Sequence, residues 1–82
     1  MVTIRNKMYN NTKMKDTFAT RLAELRKEKG YSQEELAKQI NVSRSTIAAW
    51  ETERNEPNME TLKSIANFFG VTVDFLIART DY

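Results

Sequence analysis

The stretch SQEELAKQINVSRSTIAAWE, residues 32–51, decides the fold of this chain. Ser32 and Glu35 have the spacing of a capping box, in which each side chain accepts a hydrogen bond from the other residue's backbone N–H, so a helix begins here. A second helix begins after Ser43, which is also a good N-cap residue. Only residues 41–43 separate the two helices. Such a connection is too short for side-by-side antiparallel packing, and the helices must therefore cross steeply.

The residues at this corner fit a steep crossing. Ala37 is small enough to let the two backbones approach, and Asn41 tolerates the left-handed conformation that the turn needs. The outer face of the following helix carries Arg44, Ser45, Ala48, Ala49 and Thr52. That face contributes nothing to a core. It suits a helix whose first turn reaches base edges in a major groove.

Three further helices flank this pair. The first has an apolar stripe that starts at Phe18, with Arg21 on another face, and it ends at Gly30. Asn58 and Thr72 are N-cap candidates for a fourth and a fifth helix. The sequence therefore predicts an all-α fold of five short helices.

Composition narrows the function classes. A chain of 82 residues makes one domain, and 2 Gly with 1 Pro disfavour an all-β fold. Cys and His are absent from the sequence, so thiolate metal sites and the commonest general base are excluded. The pairs Glu34-Glu35 and Glu51/Glu53 fit capping and helix packing, so we expect no enzyme and no cofactor. No apolar run approaches the roughly 20 residues needed to span a bilayer, and we expect a cytoplasmic protein.

Charge divides the chain into two parts. Residues 1–16 hold four basic groups against one acidic group, a net charge of +3, whereas residues 17–82 carry −1. We expect a basic, flexible N-terminal arm over residues 1–16 and a folded domain over residues 17–82. Basic tails often contact nucleic acid. A merely solubilising extension, and a short edge strand at Val2 and Ile4, stay open as alternatives.

The motifs QEELA (33–37), VSRSTI (42–47) and WE (50–51) resemble the lambda-type phage repressor and Cro family of helix-turn-helix regulators, also called the Xre family. The resemblance covers about residues 17–79 and extends to RNEP (54–57) and VDFL (73–76). It implies a five-helix lambda-repressor-like DNA-binding domain in which helices 2 and 3 form the helix-turn-helix. The departure is Asn41, where the family usually has Gly.

The resemblance also implies roles for individual residues. Expected base contacts are Arg44, Ser45, Ala48 and Ala49. Expected phosphate contacts are Gln33, Ser43, Thr46, Thr52, Arg54 and Asn55. Arg26 and Glu51 match a buried salt bridge between the first and third helices. Expected dimer-interface residues are Phe68, Phe75 and Ile77, although each also fits a core role, and Trp50 fits the core better than a stacking contact with DNA.

The function implied is a sequence-specific transcriptional regulator, a repressor, of phage, mobile-element or bacterial origin. It is expected to bind a two-fold-symmetric operator in double-stranded DNA as a homodimer, without a membrane or a small-molecule cofactor. The alternative is an antitoxin-type interaction module on the same fold, which binds a toxin and autoregulates its operon. In that case residues 1–16 would supply the extra surface.

Overall fold

A computed structural model describes residues 16–80 of the chain. Five helices and no strand occur in that range: α1 Phe18–Glu28, α2 Gln33–Ile40, α3 Arg44–Glu51, α4 Met59–Phe69 and α5 Val73–Leu76. The expected all-α, five-helix class is confirmed. The predicted arm, apart from Asp16, and the edge strand at Val2 and Ile4 lie outside the described residues.

Local cap chemistry starts each helix. In the predicted capping box of α2, the Glu35 N–H donates to Ser32 Oγ at 3.0 Å and the Ser32 N–H donates to Glu35 Oε1 at 2.8 Å. Thr17 caps α1 through a similar box with Thr20. The other three helices start at the predicted N-caps Ser43, Asn58 and Thr72.

The turn between α2 and α3 takes the predicted form. Asn41 ends α2 in the left-handed conformation, with φ of 64°. The next amide, Val42 N–H, donates to the carbonyl of Ala37 at 2.9 Å and folds the chain back against the end of the helix. Ala37 is 3% exposed, so no larger side chain fits there without displacing its neighbours.

One continuous core joins the helices. Its fully buried members include Leu22, Leu36, Ile47, Ile65 and Leu76, so every helix contributes. Trp50 is 5% exposed and meets the ring of Phe18 edge-on at 6.4 Å. This burial matches the core role expected for Trp50. Within residues 16–80, no helix is long and apolar enough to cross a membrane.

Arg21, which the sequence places off the apolar stripe of α1, is nevertheless buried. Arg21 is 1% exposed, and its guanidinium donates to Asp16 Oδ1 and Oδ2 at 2.7 and 2.6 Å. Its Nη1 also donates to the carbonyls of Phe75, at 2.8 Å, and Thr80, and the group lies 4.3 Å from the Phe75 ring centroid. Burial of this charge is tolerated because an ion pair and two carbonyls surround it. Arg21 thereby joins the start of α1 to the segment that follows α5.

Candidate nucleic-acid interface

The N-terminal end of α3 presents a cluster of hydroxyl groups. Ser43 Oγ accepts from the Thr46 N–H at 3.1 Å and lies 2.8 Å from Thr46 Oγ1 and 3.0 Å from Ser45 Oγ. Ser43 and Ser45 are exposed, and Thr46 is half-buried. The positive end of the helix dipole lies here, and hydroxyls can donate to an anion.

The residues expected on the outer face of α3 differ in how far they are exposed. Arg44 and Ser45 are exposed and Ala48 is half-buried, so these three can be reached from outside. Ala49, the fourth expected base contact, is 8% exposed and belongs to the buried residues of the domain, so little of its methyl group can be reached.

The C-terminal end of α3 is fixed by a buried network centred on Glu51. Glu51 accepts from Arg26 Nε at 2.7 Å and from Arg26 Nη2 at 3.0 Å, and the two side chains are 8% and 11% exposed. Arg26 Nη1 also donates to the carbonyl of Tyr31 at 2.9 Å. The structure thus brings together the expected salt-bridge partners and ties α3 to α1 and to the turn before α2.

Gln33 belongs to the same network, which the sequence did not predict. Its Nε2 donates to Glu51 Oε1 at 3.0 Å, and the side chain is half-buried rather than free on the surface. An amide nitrogen carries two hydrogens, so one remains for a phosphate oxygen. Gln33 therefore connects the start of α2 with the end of α3.

The loop after α3 starts with a second left-handed residue. Glu53 has φ of 64°, its N–H donates to the carbonyl of Trp50 at 3.3 Å, and the Arg54 N–H donates to the carbonyl of Ala49 at 2.9 Å. These are the two bonds of a Schellman motif. Thr52 Oγ1 donates to the carbonyl of Ala48 at 2.8 Å and accepts from Arg54 Nε at 3.3 Å. Thr52, Arg54 and Asn55 are all exposed, as a contact with a phosphate backbone requires.

The expected dimer residues differ in their exposure. Phe75 is 4% exposed beneath the Arg21 guanidinium, so little of its surface is free for a second chain. Phe68 is half-buried, with its ring 5.8 Å from the Tyr31 ring. Ile77 is half-buried and lines a surface groove together with Phe18, Pro57 and Leu62.

The sequence of this domain matches a known family over most of the described residues. Residues 22–76, from α1 to the last residue of α5, fit the model of the helix-turn-helix family. The chain belongs to the helix-turn-helix family. Within it, the predicted likeness to the lambda-type repressor and Cro group is confirmed.

Curated helix-turn-helix relatives include both a transcriptional activator and transcriptional repressors. Over 61 residues the chain is 48% identical to the HTH-type transcriptional activator BcrR of Enterococcus faecalis, a match that covers 74% of this chain and 30% of BcrR. It is 33% identical to the cryptic phage CTXphi transcriptional repressor RstR of Vibrio cholerae, over 78% of this chain and 58% of RstR. The chain thus spans about a third of the length of BcrR and somewhat over half of the length of RstR.

A solved structure shows the same helix-turn-helix fold on DNA. The P22 c2 repressor in complex with a synthetic operator superposes with a TM-score of 0.71 at 28% identity, over 77% of this chain and 96% of that one. Residues 33–51, which carry the turn and the outer face of α3, lie inside the region matched by the family model.

Proposed function

We propose that this domain is a sequence-specific, DNA-binding transcriptional regulator that binds a two-fold-symmetric operator as a homodimer. The observation that carries the proposal is how the two ends of α3 are placed in the domain. Its C-terminal end is held by the buried Glu51 network, and its N-terminal turn presents the exposed Arg44 and Ser45. Membership of the helix-turn-helix family supports the same function.

Sequence recognition would come from the first turns of α3 in the major groove. Arg44 can donate two hydrogen bonds to guanine O6 and N7, Ser45 can bond several bases, and Ala48 can meet a thymine methyl. The proposed phosphate contacts lie at the two ends of α3 and at the start of α2: Gln33, Ser43, Thr46, Thr52, Arg54 and Asn55. Such contacts orient the helix without reading the sequence.

A homodimer would supply the specificity that one helix lacks. A single recognition helix reads few base pairs, too few to select one site in a genome. Two-fold pairing places a second helix about 34–36 Å away, one turn along the duplex. The groove lined by Ile77, Pro57 and Leu62 is one surface that we assign to pairing, and the half-buried Phe68, near the end of α4, is a second proposed contact.

Repression is the proposed outcome of binding. Occupancy of an operator that overlaps a promoter is enough to block transcription, and RstR and the P22 c2 protein are both named repressors, whereas BcrR is named an activator. The antitoxin alternative depends on residues 1–16. All of these except Asp16 lie outside the described residues, so no observation favours it.

Selection of bound duplexes from a random pool, followed by sedimentation of the complex, tests this proposal. We expect a two-fold-symmetric consensus with half-site centres about 10 base pairs apart and two chains per duplex. A recovered pool no different from the input would overturn sequence-specific binding. A symmetric site occupied by one chain at high protein concentration would overturn the homodimer.

A further inference from the structure

The carboxylate of Glu51 determines which end of the Gln33 amide faces it. A carboxylate can only accept hydrogen bonds, whereas an amide carries a donating nitrogen at one end and an accepting oxygen at the other. Gln33 Nε2 lies 3.0 Å from Glu51 Oε1, so the amide turns its nitrogen towards the carboxylate. The reversed orientation would set two oxygens against each other. Glu51 thereby selects one of the two orientations of the amide.

Glu51 can hold the amide in place because its own position is fixed. Arg26 donates to both of its oxygens, from Nε to Oε2 at 2.7 Å and from Nη2 to Oε1 at 3.0 Å. Arg26 Nη1 in turn donates to the carbonyl of Tyr31 at 2.9 Å. The pairing also neutralises the carboxylate. The Glu51 side chain, 8% exposed beside a guanidinium, therefore repels a nearby phosphate little.

The backbone of Gln33 is fixed independently of its side chain. Gln33 is the first residue of α2, directly after the N-cap Ser32, and the capping box with Glu35 holds this turn through hydrogen bonds of 2.8 and 3.0 Å. The Gln33 side chain is half-buried, so part of it can be reached from outside. An anion that approaches this end of α2 also meets the positive end of the helix dipole. Backbone and side chain are thus both in place before any ligand arrives.

Resting on the function proposed above, we propose that Glu51 is a positioning residue for the contact of Gln33 with the DNA backbone. It binds one N–H of the Gln33 amide and leaves the second N–H as a donor for a phosphate oxygen. An unrestrained glutamine would present its oxygen as readily as its nitrogen, and it would lose rotamer freedom on binding. Glu51 removes both costs in advance and acts on DNA affinity only through Gln33.

The test needs a domain that folds without the Glu51 carboxylate. Arg26→Met combined with Glu51→Leu, the apolar pair, removes both charges of the buried salt bridge and should keep most of the stability. Gln33→Ala is then made in the wild-type chain and in the apolar pair. Fluorescence anisotropy measures the affinity of all four chains for the selected operator and for an unrelated duplex, and urea unfolding checks that each chain is folded.

The expected pattern is a loss that occurs once. In the wild-type chain, Gln33→Ala should weaken binding to both duplexes about three- to tenfold for each bound chain, because a hydrogen bond to a phosphate is lost. The apolar pair should show the same loss with Gln33 still present, and Gln33→Ala should then cost it little more. Arg44→Ala, at the opposite end of α3, is the matched control and should lower operator affinity by the same factor in both backgrounds.

Nuclear magnetic resonance of the DNA-free domain gives a second measurement. One of the two Gln33 amide hydrogens should resonate further downfield in the wild-type chain than in the apolar pair, because Glu51 binds it. Identical side-chain amide signals in the two chains would overturn the positioning role, whatever the DNA affinities are.

The outcomes distinguish this inference from the function on which it rests. A wild-type chain with no preference for the operator refutes the proposed function. Operator binding by the wild type, with Gln33→Ala costing the apolar pair as much as it costs the wild type, refutes only the positioning role. Disappearance of the Arg44→Ala effect in the apolar pair refutes it as well, because Glu51 would then act by holding α3 and not through Gln33.

Discussion

Replacement of Glu51 by alanine tests how α3 is held in the domain. The carboxylate is 8% exposed and accepts two hydrogen bonds from Arg26 and one from Gln33. Its removal leaves the Arg26 guanidinium, 11% exposed, with the carbonyl of Tyr31 as a remaining acceptor. A charge in that position is neither solvated nor neutralised.

The loss of folding free energy in Glu51→Ala follows from this burial. Removal of one partner of a buried ion pair destabilises a protein by about 3–5 kcal/mol. Since roughly a tenth of each side chain stays exposed, the lower end of that range applies, about 3 kcal/mol. A domain of this size has a total stability of roughly 4–12 kcal/mol, so Glu51→Ala removes a large share. The corresponding fall in melting temperature is roughly 12–24 °C.

Urea unfolding, followed by the fluorescence of the buried Trp50, measures this change. Glu34→Ala, at an exposed glutamate in the first turn of α2, is the matched control and should cost no more than about 1 kcal/mol. Arg26→Met combined with Glu51→Leu should recover most of the loss, because no charge then remains buried. If Glu51→Ala costs no more than Glu34→Ala, the network does not hold α3 and the reasoning is refuted.

Three other predictions concern recognition, the Arg21 cluster and the N-terminal segment. Arg44→Ala should cost about 1–3 kcal/mol of operator binding and relax preference at one G·C pair in each half-site; an equal loss across a panel of single-base operator variants would make Arg44 a phosphate contact. Arg21→Ala should destabilise the domain by about 1–3 kcal/mol, because the carbonyls of Phe75 and Thr80 lose a donor, and should speed hydrogen exchange in α5; unchanged exchange there would show that Arg21 does not hold α5 against α1. Deletion of Met1–Lys13 should leave the melting temperature nearly unchanged and reduce the slope of log affinity against log salt by about 0.9 for each phosphate that the segment neutralises, whereas a much lower melting temperature would favour a structural role for the segment.

The helix boundaries could be predicted because they depend on short-range chemistry. Ser32, Ser43, Asn58 and Thr72 each bond an amide three residues ahead, and that spacing can be read from the sequence. The left-handed turn at Asn41 was predictable for the same reason. α1 begins at Phe18, where its apolar stripe starts, with Thr17 as its N-cap.

Interactions between distant segments could not be predicted in this way. Arg21 is buried because the carbonyls of Phe75 and Thr80, 54 and 59 residues away, cover its side of α1. Helical periodicity gives the direction of a side chain but not what lies opposite it. The hydrogen bond between Gln33 and Glu51 and the burial of Ala49 could not be predicted for the same reason. Both depend on how α3 packs against the neighbouring helices.

The attachment of α3 at its C-terminal end has a consequence for how the DNA-sequence preference of the domain can change. The last residue of α3 carries the buried network, whereas the exposed Arg44 and Ser45 in its first turn and the half-buried Ala48 one turn later lie outside that network. Exchange of these three should redirect the domain to a new operator while the fold stays intact. Sequence preference is thus a nearly separable trait, free to diverge between related regulators and open to reprogramming in the laboratory.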